Sequence, residues 1–187
     1  MISVIVPSHN EPKIYELMEE IEQEIGPSQI VVCNDRYGKG KGWAVRQAME
    51  QATGDTILYI DGDGDISPFE IKKVLAYLGE YDVVVAKKNL PKRLDRTILT
   101  LLSRSWLWLL FGFWIDTQTG LKGFTYKPEW RTDGWAFDVE ILAKARLAGK
   151  SMIEIPIKAC VSDSKSLKDI WRTLLETIRI KSRWMYQ

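Results

Sequence analysis

Short apolar runs alternate with amphipathic stretches along the first half of the chain. ISVIV (2–6) reads as a buried strand. Pro12 suits a first helical turn, and Ile14, Leu17, Met18, Ile21 and Ile25 then recur at helical spacing until Gly26-Pro27. QIVVC (29–33) is a second strand. A second helix runs over 41–53 with Ala44, Val45, Ala48, Met49 and Ala52 inward and Gly54 as its stop. TILYI (56–60) is a third strand, followed by Ser67, Pro68 and Glu70 as a capping box for a helix that buries Ile71, Val74, Leu75 and Leu78. DVVVA (82–86) is a fourth strand. This alternation predicts an α/β fold with a mostly parallel central sheet and helices on both faces.

After residue 90 the pattern loosens. ILTLLSRSWLWLLFGFWI (98–115) is helical and is interrupted by Ser103, Arg104 and Ser105. It suits a core helix or, given its tryptophans, a membrane-facing one. A helix over 137–148 and a strand over 152–159 follow. The last helix carries a stripe of Leu167, Ile170, Trp171, Leu174, Leu175 and Ile178. It also carries Lys165, Lys168, Arg172, Arg179, Lys181 and Arg183. The expected organisation is one domain over 1–187, with 163–187 a basic amphipathic helix that covers the sheet, lies on an anionic membrane surface, or does both with different faces.

Composition changes this picture little. Apolar residues make up 45% of 187, enough for a core, and the net charge of +1 gives no general nucleic-acid footprint. Cys33 and Cys160 lie in strand-like runs and read as buried thiols of a reducing compartment. MISVIVPSHNE lacks the basic lead and apolar core of a signal peptide. The expected location is cytoplasmic, peripheral on the cytoplasmic face of a membrane.

Candidate chemistry gathers at strand ends, where ligands bind such sheets. His9, Asn10 and Glu11 follow strand one, Asn34 and Asp35 follow strand two, and Asp61, Asp63 and Asp65 follow strand three. A helix–loop–helix calcium site fails, because Ile66 stands where glycine is needed and Lys72 where glutamate is needed. An aspartate-rich turn capping the third helix accounts for Ser67 but not for three carboxylates. A divalent ion, Mg²⁺ or Mn²⁺, bridging a diphosphate accounts for the carboxylates and their glycines.

Five segments in order complete a resemblance: VIVPSHNE (4–11), GKGWAVRQAMEQATGD (40–55), DGDGDISPFEI (61–71), DTQTGLKGF (116–124) and GWAFDVEILAKARLAG (134–149) with EIPI (154–157). The chain resembles family 2 glycosyltransferases of the GT-A fold, in the polyprenyl- and dolichyl-phosphate mannosyl- and glucosyltransferase group. The resemblance implies that Pro7 and Glu11 cradle the nucleotide, that Asp35 closes that pocket with His9 on its wall, and that Lys41 lies near the nucleotide. It implies Asp61 and Asp63 as a DxD pair, with Asp63 the likelier direct metal ligand and Asp65 in the place of a usual glutamine. Asp116, Gln118 and Lys122 would floor the sugar and acceptor site, with Asp138 and Glu140 facing the sugar. The FDVE form resembles the glucosyl enzymes more than the mannosyl ones. Two departures stand out: VVCND runs straight into RYGKGKG, without the helix and strand usual there, and AKKN replaces a usual Gly-Ser-Arg, so that Lys87 and Lys88 would supply the charge.

The implied reaction is inverting transfer of glucose or mannose from a UDP- or GDP-sugar to a polyprenyl phosphate. Arg93, Arg96, Arg104 and Lys122 are candidates to neutralise the acceptor phosphate. A soluble glycan acceptor, with Asp138 as base, and a degenerate nucleotide-sugar-binding module are the alternatives. A nucleotidyltransferase needs a glycine-rich loop that PSHNEPK (7–13) lacks.

Overall fold

The computed structural model describes residues 1–8, 11–35, 38–88, 94–159 and 167–185. The elements are β1 (Ile2–Ser8), α1 (Ile14–Ile25), β2 (Gln29–Asn34), α2 (Lys41–Gln51), β3 (Thr56–Ile60) and α3 (Ile71–Tyr77). They continue with β4 (Val83–Lys88), α4 (Leu94–Phe111), β5 (Leu121–Phe124), α5 (Phe137–Leu147), β6 (Met152–Ile157) and α6 (Leu167–Met185). One sheet of six strands has the order β2-β1-β3-β5-β4-β6. β1 pairs in parallel with β2 and β3, and β4 with β6, while β5 runs antiparallel between β3 and β4.

The sheet separates two apolar layers. Val4, Val6, Leu58, Ile60, Val84 and Ala86 face α1 and α3 through Leu17, Ile21, Ile71 and Val74. Ile5, Ile57, Tyr59, Val83, Val85 and Phe124 face the other way, toward Val45 and Met49 of α2, Leu107 of α4 and Phe137, Ile141 and Leu142 of α5. Strands buried on both faces read as unbroken apolar runs, which is why β1, β3 and β4 stand out in the sequence. Cys33 belongs to the second layer, and burial pushes its thiol up to about 12. Cys160 lies outside the described residues.

Three features go beyond the sequence pattern. β5 is a strand where the pattern assigned no element, because four residues containing Lys122 and Gly123 carry no strand signal. Gly123 has a packing reason, since a Cβ there would meet Val74 Cγ1 at 2.6 Å and Leu78 Cδ1 at 2.7 Å. It lets α3 settle onto β5. The box at Ser67 is only half made: Ser67 Oγ accepts from the Phe69 amide at 3.4 Å at the head of a 3-10 turn, while Glu70 turns to Lys73 at 2.7 Å.

The third is the packing of α6, whose stripe could cover the sheet or face a membrane: Trp171, Leu175 and Ile178 face solvent, whereas Thr177 and Ile180 are buried. α6 packs against α4 and α5, with Trp106 Nε1 donating to Thr177 Oγ1 at 3.0 Å. Its inner face also braces the 131–137 segment. Glu176 Oε2 accepts from the Ala136 amide at 2.9 Å, and Arg183 donates to Thr132 Oγ1 at 2.7 Å.

Asp82 pins the start of β4 to the turn after α5. It accepts from the Ser151 amide at 2.9 Å, the Ser151 hydroxyl at 3.0 Å and Lys150 Nζ at 3.2 Å. The Ser151 amide bond, then Lys150 and the Ser151 hydroxyl, bring its carboxyl down to about 2. A depressed folded-state value contributes stability above the unfolded value of about 4 and loses it as the pH falls toward 2. The melting-temperature gap between wild type and Asp82→Asn is therefore expected to be full above about pH 4 and to close below it, measured by circular dichroism across pH.

Candidate active site

The carboxyl ends of β1 and β3 lie almost in contact. The Gly62 amide donates to the Pro7 carbonyl at 3.1 Å, and a Cβ on Gly62 would stand 2.7 Å from that oxygen. Beyond Gly62 the chain turns through Gly64, at φ +76°, while Asp63 Oδ1 accepts from the Asp65 amide at 3.1 Å. A cleft of about 650 Å³ opens here, lined among others by Glu11, Asp63, Asp65, Ser67 and Lys158.

The three aspartates differ in their partners. Asp61 is held by Lys41 at 2.7 Å and accepts from the Tyr59 hydroxyl at 2.5 Å. Burial raises its proton affinity, but Lys41, Tyr59 and Lys122 outweigh this and leave its carboxyl below the usual range. Burial in turn disfavours charged Lys41, yet Asp61 and Asp138 hold it above its ordinary value. Asp65 is held by Lys88 at 2.9 Å. Exposed Asp63 has no ion-pair partner among the described residues. Partial burial and the charges of Asp61 and Asp65 raise its carboxyl above the usual range. Negative charge at this corner is thus neutralised at both flanks and left in excess at the centre.

Asp35 organises the glycine turn that delivers Lys41. Its two oxygens accept the Lys39 amide at 2.8 Å and the Gly40 amide at 2.7 Å. Gly40 sits at φ +114°, a conformation that L side chains rarely adopt, and Lys41 then opens α2.

The far wall is a buried ion pair. Lys122 reaches from β5 to Asp138 in the first turn of α5 at 2.9 Å, and its ammonium donates to the Thr119 carbonyl at 2.6 Å. Lys122 is 1% exposed. Burial pushes the Asp138 carboxyl up, and Lys122 and Lys41 pull it back only in part. Lys41, Asp61, Lys122 and Asp138 form one interior network, with the Tyr59 ring 5.8 Å from Lys41 Nζ and 5.3 Å from Lys122 Nζ. Gly120 makes room for it, since a Cβ there would lie 2.6 Å from Asp61 Cγ and 2.8 Å from its Cβ. Asp61 has little freedom to retreat, because its amide is bonded to the Gly120 carbonyl at 2.8 Å. Gly120→Ala is expected to lower the unfolding free energy by about 1–3 kcal/mol in urea titrations.

Asp116 and Gln118 sit on the loop before β5. Asp116 Oδ1 accepts from the Gln118 amide at 3.1 Å, and the Asp116 amide donates to Glu154 Oε1 at 2.7 Å. The same Glu154 oxygen takes Arg104 at 2.6 Å, and Lys87 lies 3.5 Å from the other oxygen. Arg104 and Lys122, read from the sequence as acceptor-phosphate groups, are thus already engaged within the protein. Glu140 turns inward, with its oxygens accepting the Arg131 amide at 3.1 Å and the Thr132 amide at 2.8 Å. His9 and Arg93 lie outside the described residues, as does the side chain of Arg96.

The structure brings Glu11, Asp63 and Asp65 to one cleft and Lys41, Asp61, Lys122 and Asp138 to one network. Tyr59, Glu154 and Lys158 were not singled out from the sequence. Tyr59 had a signal, since period-two alternation puts it on the same face as Asp61. Lys158 follows a strand end, and Glu154 is the lone acid of an apolar strand.

Among solved structures, mannosyl-3-phosphoglycerate synthase from Rubrobacter xylanophilus aligns at TM-score 0.77 and 19% identity, over 100% of this chain and 74% of that one. Glucosyl-3-phosphoglycerate synthase from Mycobacterium tuberculosis, crystallised with Mn²⁺ and uridine-diphosphate-glucose, aligns at 0.76 and 16%, over 96% and 77%. These establish a GT-A fold in shortened form. Human dolichyl-phosphate beta-glucosyltransferase is 26% identical over 92% of this chain and 71% of its own length. The enzyme of that name from Drosophila melanogaster is 31% identical over 80% and 52%. The mouse one is 23% identical over 91% and 59%, so the chain spans between about half and seven-tenths of these relatives. The model for glycosyl transferase family 2 matches residues 4–126, and it shows that the chain belongs to that family.

Proposed function

We propose that this family 2 glycosyltransferase moves a hexose, glucose or mannose, from a UDP- or GDP-sugar to a polyprenyl phosphate at a membrane surface, with inversion and with Mg²⁺ or Mn²⁺. The observation that carries the reading is the corner at the end of β3, where Asp63 keeps uncompensated negative charge beside an open cleft.

The donor set fits such an ion. Among the described residues no three His, Cys, Asp or Glu side chains converge into a closed cage. Mg²⁺ is commonly held by one or two carboxylates with substrate phosphates completing the shell, which Asp63 and Asp65 can provide. Bound there, the ion would supply positive charge for the departing diphosphate. Asp61 remains with Lys41, and together with Tyr59 they fix the base of the turn that carries Asp63.

The transfer needs little proton chemistry. An acceptor phosphate is already ionised at neutral pH. One of its oxygens forms the bond to the anomeric carbon as the carbon–oxygen bond to the diphosphate breaks, and the electron pair leaves with the diphosphate. Placing the two reactants is then the main task of the protein. Glu11 and Asp35 stand on the nucleotide side, Lys122, Asp138, Asp116 and Gln118 on the sugar and acceptor side.

A second reading, a binding module without turnover, is motivated by the lysines that already hold Asp61 and Asp65. Purified protein is incubated with Mn²⁺ and UDP- and GDP-hexoses, and nucleoside diphosphate is measured with and without polyprenyl phosphate. Release that requires the lipid phosphate is the expected result. Donor binding with no release would favour the module, and release driven by a soluble glycan would favour the soluble-acceptor alternative.

A further inference from the structure

α4 and α6 leave an unusual outer surface. The exposed described side chains of α4 are Ile98, Thr100, Leu101, Leu102, Ser103, Ser105, Trp108 and Leu109, with no charge among them. Trp108 is 59% exposed and Leu109 is 70% exposed. A water-facing helix normally turns charged residues outward. Contiguous exposed apolar surface marks a place of association.

α6 adds the complementary charge. Its exposed described side chains are Trp171, Arg172, Leu175, Ile178, Arg179 and Ser182: apolar groups with arginines and no acid. Its acidic Glu176 gives one oxygen to the Ala136 amide and the other to Arg172 Nε at 3.3 Å, which leaves the Arg172 side chain 60% exposed. The two helices are joined at Trp106–Thr177, and Lys181 Nζ lies 5.9 Å from the Phe111 ring. No helix among the described residues is long and apolar enough to cross a bilayer.

We infer that the outer faces of α4 and α6 form a docking surface for an anionic lipid bilayer, into whose interface Trp108, Leu109, Trp171 and Leu175 insert while Arg172 and Arg179 meet lipid phosphates. Tryptophan and arginine favour the polar boundary of a bilayer, and uncharged aliphatic residues favour the layer beneath it. Each basic residue near an anionic surface adds attraction that salt weakens. A protein partner is the poorer fit, because the α4 face offers no polar groups beyond small hydroxyls to set its register. The inference deepens the lipid-acceptor reading and rests on it for its purpose, not for its test.

The test uses the full chain with phosphatidylcholine vesicles containing about 30 mol% phosphatidylglycerol, without polyprenol or nucleotide sugar. Co-sedimentation is expected for wild type, and to fall about tenfold or more in Trp108→Ser/Leu109→Ser and in Trp171→Ser/Leu175→Ser, whose melting temperatures stay near wild type. Arg172→Glu/Arg179→Glu is expected to weaken binding only when the vesicles are anionic. In wild type, brominated lipid should quench tryptophan emission, which needs no variant. Absence of vesicle binding and quenching overturns the inference, as does binding equal in all variants. So does a dimer in solution that the serine variants abolish, which would assign the surface to a second copy of the chain. Transfer assayed separately in detergent distinguishes loss of this surface from loss of the catalytic reading.

Discussion

Replacing Lys122 by methionine is expected to lower the unfolding free energy by about 3–5 kcal/mol. The ammonium is 1% exposed and has two oxygen partners, Asp138 at 2.9 Å and the Thr119 carbonyl at 2.6 Å. Methionine nearly matches the lysine stem in volume, so the loss is electrostatic rather than a cavity. It leaves the Asp138 carboxylate buried with the charge of Lys41 still there to offset it in part. The remedy is as informative as the damage. Adding Asp138→Asn removes the stranded charge, so the double variant should recover a large part of the loss in the same urea titration. Additive losses would show that the two side chains do not act as a pair.

Asp63→Asn is expected to do the opposite: little to stability and much to turnover. Asp63 is exposed, and its neighbours Asp61 and Asp65 repel it. Losing its charge should leave the melting temperature unchanged or slightly raised. A divalent ion on a leaving diphosphate contributes several kcal/mol of transition-state stabilisation, so kcat/KM for nucleotide-sugar turnover should fall about a hundredfold or more. Steady-state assays with Mn²⁺ titrated for wild type and variant check this. Asp65→Asn should have a smaller effect on turnover, because its charge is already shared with Lys88 at 2.9 Å. Equal turnover in wild type and Asp63→Asn would remove the metal corner from the mechanism.

Much of the scaffold could be read before any coordinates. Strands buried on both faces give contiguous apolar runs, and amphipathic helices with proline and glycine punctuation frame them. That is why β1 to β4 and α1 to α3 lie close to where the pattern puts them. Elements that depend on their surroundings could not be read so. β5 holds a lysine and a glycine in four residues and exists because β3 and β4 flank it. The α6 stripe suits a core-facing or a membrane-facing side equally well in sequence, and only the packing shows that Trp171 is 67% exposed.

The site was legible in its residue types and not in its pairings. Three carboxylates in five positions announce a cation site, but sequence cannot say that Lys41, twenty positions before Asp61, closes on it. Nor can it say that Glu154 gathers Arg104, Lys87 and the Asp116 amide. Such matches form between elements far apart in the chain, and only the sheet order brings them together.

The bracing of residues 131–137 by α6 bears on where the working unit ends. The Ala136 amide, two residues before Asp138, has its acceptor in Glu176, and Thr132 has its guanidinium partner in Arg183. A version shortened before Leu167 would leave the entrance to α5 without these tethers. The terminal rod is thus a strut for the start of α5, and shortening the chain before Leu167 is expected to loosen the setting of Asp138.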